Sequence, residues 1–213
     1  MTEINKRILT STFLFMVIFI AFYNKIILFI CLIFCIFQVF FEFFNILKKI
    51  IKKKNQLFIY LQFVLFFLLY LFINIWIILS KNIIEDKIYL VFIICICIST
   101  DIGGLLFGRI FKGKKLTKIS PNKTYSGVYG SYILSLILGY IFFKNFFNLD
   151  ILLIYILIIS TISQFGDLFI SLLKRKANLK DTSNILPGHG GLLDRFDGMI
   201  FAIPIGIIIS KFL

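Results

Sequence analysis

Nine ionisable residues fall within one 27-residue stretch, 171–197, which reads SLLKRKANLKDTSNILPGHGGLLDRFD. They are Lys174, Arg175, Lys176, Lys180, Asp181, His189, Asp194, Arg195 and Asp197. Pro187, Gly188, Gly190 and Gly191 bend the backbone among them. Asp167 lies just upstream, in Gln164-Phe165-Gly166-Asp167. Two or three converging carboxylates suit a hard divalent cation such as Mg2+, which takes oxygen ligands and shares phosphates. Asp194 and Asp197 are three apart and would share a face of a helix. The plainer alternative is that both cap the last helix, where negative charge is favoured by the dipole. Lys174, Arg175, Lys180 and Arg195 can cradle phosphates; each alone reads equally well as part of a solvated basic face. His189, flanked by glycines, sits on backbone that can approach a ligand closely. Gly190 and Gly191 can present N–H groups to an anion, or can simply form a loop.

These groups are set between membrane-length apolar runs. The chain has 213 residues, 60% of them hydrophobic, and a mean hydropathy of +1.01. A soluble domain sits near ~45–50% apolar. Runs near 8–23, 26–47, 56–80, 88–100, 126–143, 148–170 and 198–212 approach or exceed the ~20 residues that span a bilayer. The expected fold is an all-α, polytopic transmembrane helical bundle of about seven spans. No small-residue cleavage site follows Lys6 and Arg7, so the first run is expected to be retained. Ionisable groups at such a boundary are costly, and a cluster of them marks a functional site.

Net charge is +13. In a membrane protein the positive-inside rule accounts for it, and no motif that reads nucleic acid is present. With the N-terminus inside and seven spans, only Lys25, Lys81, Lys87, Lys144 and Lys211 of the 23 basic residues lie outside. The polar segments 101–125 and 171–197 then both face the cytoplasm, where nucleotides are available. Cys31, Cys35, Cys95 and Cys97 lie inside apolar runs and read as small apolar residues, without a disulfide or metal site. No P-loop, dinucleotide fingerprint or nucleophile elbow occurs, and a lone histidine excludes a zinc peptidase.

The string Ser171-x-Leu173-Lys174-Arg175-x4-Lys180-Asp181-x-Ser183-x2-Ile185-Leu186-Pro187-x-His189-Gly190-Gly191-Leu192-x-Asp194-Arg195-Phe196-Asp197 closely resembles the signature of the phosphatidate cytidylyltransferases, or CDP-diacylglycerol synthases. A second block looks like the family's upstream loop: Asp101-x-Gly103-Gly104-x3-Gly108-Arg109-x-Phe111, then Lys118-Ile119-Ser120-Pro121-Asn122-Lys123-Thr124-Tyr125-Ser126-Gly127. Here Gly104-Leu105 replaces Ala-Tyr, Lys112-Gly113 departs from Gly-Lys, and Ser126 replaces a Glu. The resemblance covers residues 88–213, and the N-terminal third matches only as generic spans. The chain looks short for the family, as though N-terminal helices were missing. The expected division is N-terminal transmembrane helices over 1–87 and a catalytic transmembrane region over 88–213.

The resemblance implies that CTP and phosphatidate give CDP-diacylglycerol and pyrophosphate. It implies Mg2+, with K+ as a second ion, on Asp167, Asp194 and Asp197. Catalytic roles are expected for those acids with Lys174, Arg175, Lys180, Asp181, His189 and Arg195. Substrate contacts are expected from Asp101, Arg109, Ser120, Lys123, Thr124, Gly190 and Gly191. The expected setting is a multi-pass protein of a bacterial inner membrane with its active site on the cytoplasmic side, with room for a homodimer and no nucleic-acid partner. The runner-up readings are a related CTP-dependent membrane enzyme (a polyprenol or phytol kinase, or a CDP-ether-lipid synthase) and a non-enzymatic transporter.

Overall fold

A computed structural model of the chain describes residues 23–50 and 87–210, apart from 118, 119, 121, 122, 147, 184 and 186–189. It also describes 12, 16, 19, 20, 60–65, 67, 68 and 70. Among the described residues the continuous helices are, in order, α1 Lys25–Ile50, α2 Lys87–Phe111, α3 Tyr125–Phe143, α4 Leu149–Lys176, α5 Leu193–Phe196 and α6 Met199–Ser210. Among the described residues there is no strand; Lys115 and Thr124 form an isolated bridge. Runs rich in Ile and Phe have strand propensity. Lipid offers no partner for free N–H and C=O groups, so such runs become helices.

Among the described residues, three helices are long and apolar enough to cross a membrane: Ile88–Phe111, Tyr125–Phe143 and Leu149–Lys176. Helix α6 is shorter, at 12 residues, and carries Pro204 inside it. The runs expected at 8–23 and 56–80 fall largely outside the described residues.

Two expectations from sequence need correction. The fourth apolar run does not end at Thr100: α2 continues to Phe111, so Asp101 and Arg109 lie on a helix rather than in a loop. The reason is packing. Gly103, Gly104 and Gly108 meet Gly127, Gly130 and Ser131 of α3 at backbone distance, as small residues do between membrane helices. A Cβ on Gly103 would stand 2.5 Å from the Gly130 oxygen. The second correction concerns Asp194 and Asp197. Helix α5 ends at Phe196, so Asp197 sits in the following turn and the two acids do not share a helical face.

The chain divides into two compact units. The first joins Met1–Ile75 with Leu173–Phe196. Within it, α1 buries Val39, Phe43, Ile46 and Leu47 along one stripe, while Ile26, Ile30, Phe34, Phe37 and Phe41 are exposed. Asn24 starts the helix by accepting from the Ile26 and Ile27 N–H groups. Phe43 stacks on Phe67 with ring centroids 3.7 Å apart.

The second unit joins Trp76–Leu172 with Asp197–Leu213. Its core is Phe92, Ile93, Ile96, Cys97, Leu152, Tyr155, Ile156, Ile159, Ala202 and Ile207. The Tyr155 hydroxyl donates to the Gly206 oxygen at 2.8 Å, and Thr100 meets Ser160 at 3.0 Å. These buried hydroxyls are thereby paired, as burial requires, whereas the buried Ser163 Oγ has no hydrogen-bond partner among the described residues.

Candidate functional site

In the first unit, the end of α4 carries Lys174 and the short helix α5 carries Asp194. Their Nζ and Oδ1 atoms are 2.8 Å apart, with 13% and 7% of the side chains exposed. The other oxygen, Oδ2, accepts from the Thr182 N–H at 2.8 Å and the Gly191 N–H at 3.1 Å, with the Thr182 hydroxyl at 3.0 Å. Burial alone pushes a carboxyl up. Here the bonds from Lys174, Thr182 and Gly191, with the lysine charge, hold Asp194 below its ordinary range. It is a carboxylate at neutral pH.

The loop between these residues is shaped by its glycines. Gly190 has φ +83°, a conformation that side-chain-bearing residues rarely adopt, and a Cβ there would lie 3.0 Å from Asp194 Oδ2. A Cβ on Gly191 would lie 1.9 Å from Thr182 Oγ1. Sequence reasoning kept two uses for these glycines, anion contact or plain loop. The geometry shows both packed against Asp194, Asp181 and Thr182. Arg175, Lys180, Asp181 and Arg195 are exposed around the pair. Arg175 also reaches the Leu179 oxygen at 3.4 Å. His189 lies outside the described residues.

In the second unit, Lys123 pairs with Asp167, and Ser171 donates to the same carboxylate at 3.3 Å. Asp101 is within electrostatic reach of both. Lys123 is aimed by a small closed loop. Leu116 N–H bonds the Lys123 oxygen at 2.8 Å and Tyr125 N–H bonds the Lys114 oxygen at 3.0 Å. The next residue, Thr124, is the N-cap of α3 and accepts from Gly127 N–H at 3.1 Å. Ser126, where the family pattern has Glu, accepts from Gly113 N–H at 3.2 Å and meets Thr124 at 2.9 Å. Ser120 bonds back to Thr117 through its N–H at 3.3 Å. Arg109 is exposed on the last turn of α2.

Asp197 follows Phe196, and its Oδ1 accepts from Gly198 N–H at 2.8 Å. A Cβ on Gly166 would stand 2.8 Å from the Asp197 oxygen and 3.1 Å from Gly198 Cα. This close crossing brings Asp197 beside the turn of α4 that holds Asp167. Among the described residues, no group of three or more His, Cys, Asp or Glu side chains is arranged to hold a metal ion. The donor type nevertheless fits Mg2+: Asp167 and Asp197 carry hard carboxylate oxygens, and their backbones lie close at this crossing.

A family model described as the cytidylyltransferase family matches residues 4–213. The chain belongs to the cytidylyltransferase family. The match extends well upstream of residue 88, beyond where the sequence motifs alone reach. Among its relatives is a phosphatidate cytidylyltransferase of Bacillus subtilis (strain 168), 42% identical over 130 residues, covering 58% of this chain and 48% of that protein. One of Rickettsia felis is 41% identical over 126 residues, or 54% and 56% of the two chains. One of Rickettsia prowazekii is 40% identical over 139 residues, or 61% of each. The chain thus spans about half the length of the curated relatives it matches.

One residue of the site escaped sequence reasoning. Glu42 lies near the end of the 26–47 apolar run and was given no role from sequence. The available signal was a lone acid within a long apolar run, with Gln38 one helical turn before it.

Proposed function

We propose that this chain transfers the cytidylyl group of CTP to phosphatidate, giving CDP-diacylglycerol and pyrophosphate. The family match supports the reaction class. The observation that carries the reading is the Lys174–Asp194 pair, formed by two signature residues twenty positions apart and closed by the loop between them. An oxygen of the phosphatidate phosphate attacks the α-phosphorus of CTP in line. The bond from that phosphorus to the β-phosphate bridging oxygen breaks, and pyrophosphate leaves with the electron pair. The attacking phosphate is largely ionised at pH 7, with a second pKa of about 6, so no strong base is needed. Catalysis is then positioning and charge neutralisation.

Lys174, Arg175, Lys180 and Arg195 hold phosphate oxygens, and Asp181 orients one of these cations. Lys123 serves the same end beside Asp167, with Ser120, Thr124, Asp101 and Arg109 around the nucleotide. His189 and Gly190 approach the phosphates, and Gly191 donates to Asp194. Mg2+ would be held by Asp167 and Asp197, with Asp194 the third acid the family pattern names; when bound, it neutralises phosphate charge. K+ is the second ion. The chain spans the membrane about seven times, with both polar segments on the cytoplasmic side of a bacterial inner membrane, and can pair as a homodimer. The 18 basic residues that this topology places inside support it.

The test is labelled CTP with phosphatidate and Mg2+ in detergent, for wild type and Asp194→Asn. CDP-diacylglycerol made by the first and lost in the second, and lost with chelator, is the expected result. A lipid monophosphate as product would overturn it in favour of γ-phosphate transfer. No turnover with any lipid acceptor would end the enzymatic reading.

A further inference from the structure

Glu42 lies on α1 with 1% of its surface exposed, yet five donors converge on it. Gln38 Nε2 at 2.9 Å, Ser183 Oγ at 2.7 Å and Leu192 N–H at 3.0 Å donate to Oε1. Thr182 Oγ1 at 2.7 Å and Leu193 N–H at 2.9 Å donate to Oε2. Four of the five belong to the signature segment, roughly 140 to 150 positions away along the chain. An ionised carboxylate is acceptor-only with about four lone-pair sites, so its capacity is filled.

One of these donors, the Thr182 hydroxyl, also touches Asp194. Thr182 Oγ1 stands between Glu42 Oε2 and Asp194 Oδ2, at 2.7 and 3.0 Å. Its one proton serves one carboxylate at a time. The Thr182 backbone N–H goes to Asp194, and so does that of Gly191. A Cβ on Gly191 would stand 2.4 Å from Glu42 Oε2, so the second glycine of the His-Gly-Gly run is the space Glu42 occupies.

Burying a carboxylate is costly unless its bonds are met, and an apolar contact would hold α1 to a loop at lower cost. What the carboxylate adds is direction: two oxygens fix two backbone N–H groups and two hydroxyls at once. We propose that Glu42 is a positioning residue, clamping Thr182, Ser183, Leu192 and Leu193 so that Asp194 meets Lys174 in the arrangement turnover requires. This rests on the reading of that pair as part of the catalytic machinery.

The experiment uses the full chain in detergent and two readouts, amide hydrogen exchange and CDP-lipid formation. In Glu42→Gln, one oxygen becomes an NH2 that cannot accept. Exchange at Leu192 and Leu193 is expected to rise on the order of 10-fold with α3 unchanged, a local opening. The kcat is expected to fall about 10- to 100-fold, the usual effect of losing a partner behind a catalytic group. KM for CTP moves little, because the loss is not one of uniform binding. Glu42→Asp restores part of kcat. Glu42→Gln with Thr182→Val loses less than the product of the single losses, because both act through one hydroxyl.

A folded Glu42→Gln chain with wild-type kcat overturns the proposal, whatever its exchange. If exchange instead rises throughout that variant, Ser183→Ala decides: a kcat loss of about 5-fold, the worth of one hydrogen bond, supports the clamp and no loss overturns it. If wild type makes no CDP-lipid, the reaction assignment falls by itself. Exchange still judges the clamp: a local rise at Leu192 and Leu193 supports it and no rise overturns it.

Discussion

Among the described residues each unit contains one acid–lysine pair, and the two are built differently. Lys174–Asp194 is closed: the side chains are 13% and 7% exposed, and further donors fill the carboxylate. Lys123–Asp167 is half open, at 28% and 26%, with Ser171 as its additional hydrogen-bond donor. A closed pair is a structural commitment, since removing one partner strands a buried charge. An open pair adds little to stability and can exchange its partner for a ligand. The difference separates a pair fixed within its loop from a pair open to exchange.

The strongest way to break this contrast is Lys174→Met. It leaves Asp194 with its N–H donors and no cation. Breaking such a buried pair costs about 3 kcal/mol or more, and the variant should unfold earlier in mixed-micelle titrations as well as lose turnover. Stability within error of wild type would show that the pair is not closed in the membrane.

Next is Gly191→Ala, in which the added methyl overlaps Thr182 and Glu42. Overpacking of this kind costs about 1–3 kcal/mol. Gly130→Ala makes the matching test in the second unit, where the methyl would meet Phe107 Cβ at 2.2 Å. The two should destabilise alike, but Gly191→Ala should lose more turnover per unit of stability lost, because it moves Asp194. Equal turnover losses would remove the functional distinction between the loop and the helix contact.

A smaller effect is expected from Thr124→Val, which removes the α3 N-cap and the Ser126 contact. A cap is worth about 1 kcal/mol. Since Lys123 is the preceding residue, KM for CTP should rise as the loop loosens. A fall in stability with an unchanged KM would confine Thr124 to capping.

Parts of this comparison were legible in the sequence. The apolar runs gave α3 nearly to its ends, because twenty apolar residues in lipid have no alternative to a helix, but left α4 six residues short: it continues from 171 through Lys176, carrying Lys174 and Arg175. The end of α2 was not legible. Asp101, three glycines and Arg109 read as loop, and only α3's own glycines made a helix there worthwhile. The acids of the signature were found because their spacing is regular. Glu42 was not, because its partners are some 140 residues away and appear only once the chain is folded. Local pattern shows where charge sits; it does not show which distant donors answer it.

The smallest stability change belongs to Lys123→Met, and it sharpens the comparison most. A half-exposed pair contributes about 0–1 kcal/mol, so the variant should unfold almost like wild type. Asp167 loses its cation but stays partly solvated and keeps Ser171. If Lys123 meets phosphate during turnover, removing it withdraws charge where charge develops, a loss of about 100-fold. Lys123→Arg should recover some of that, because it keeps the charge. Near-normal turnover by Lys123→Met would make the open pair an ordinary surface bridge and leave the closed pair as the one acid–lysine pair tied to the reaction.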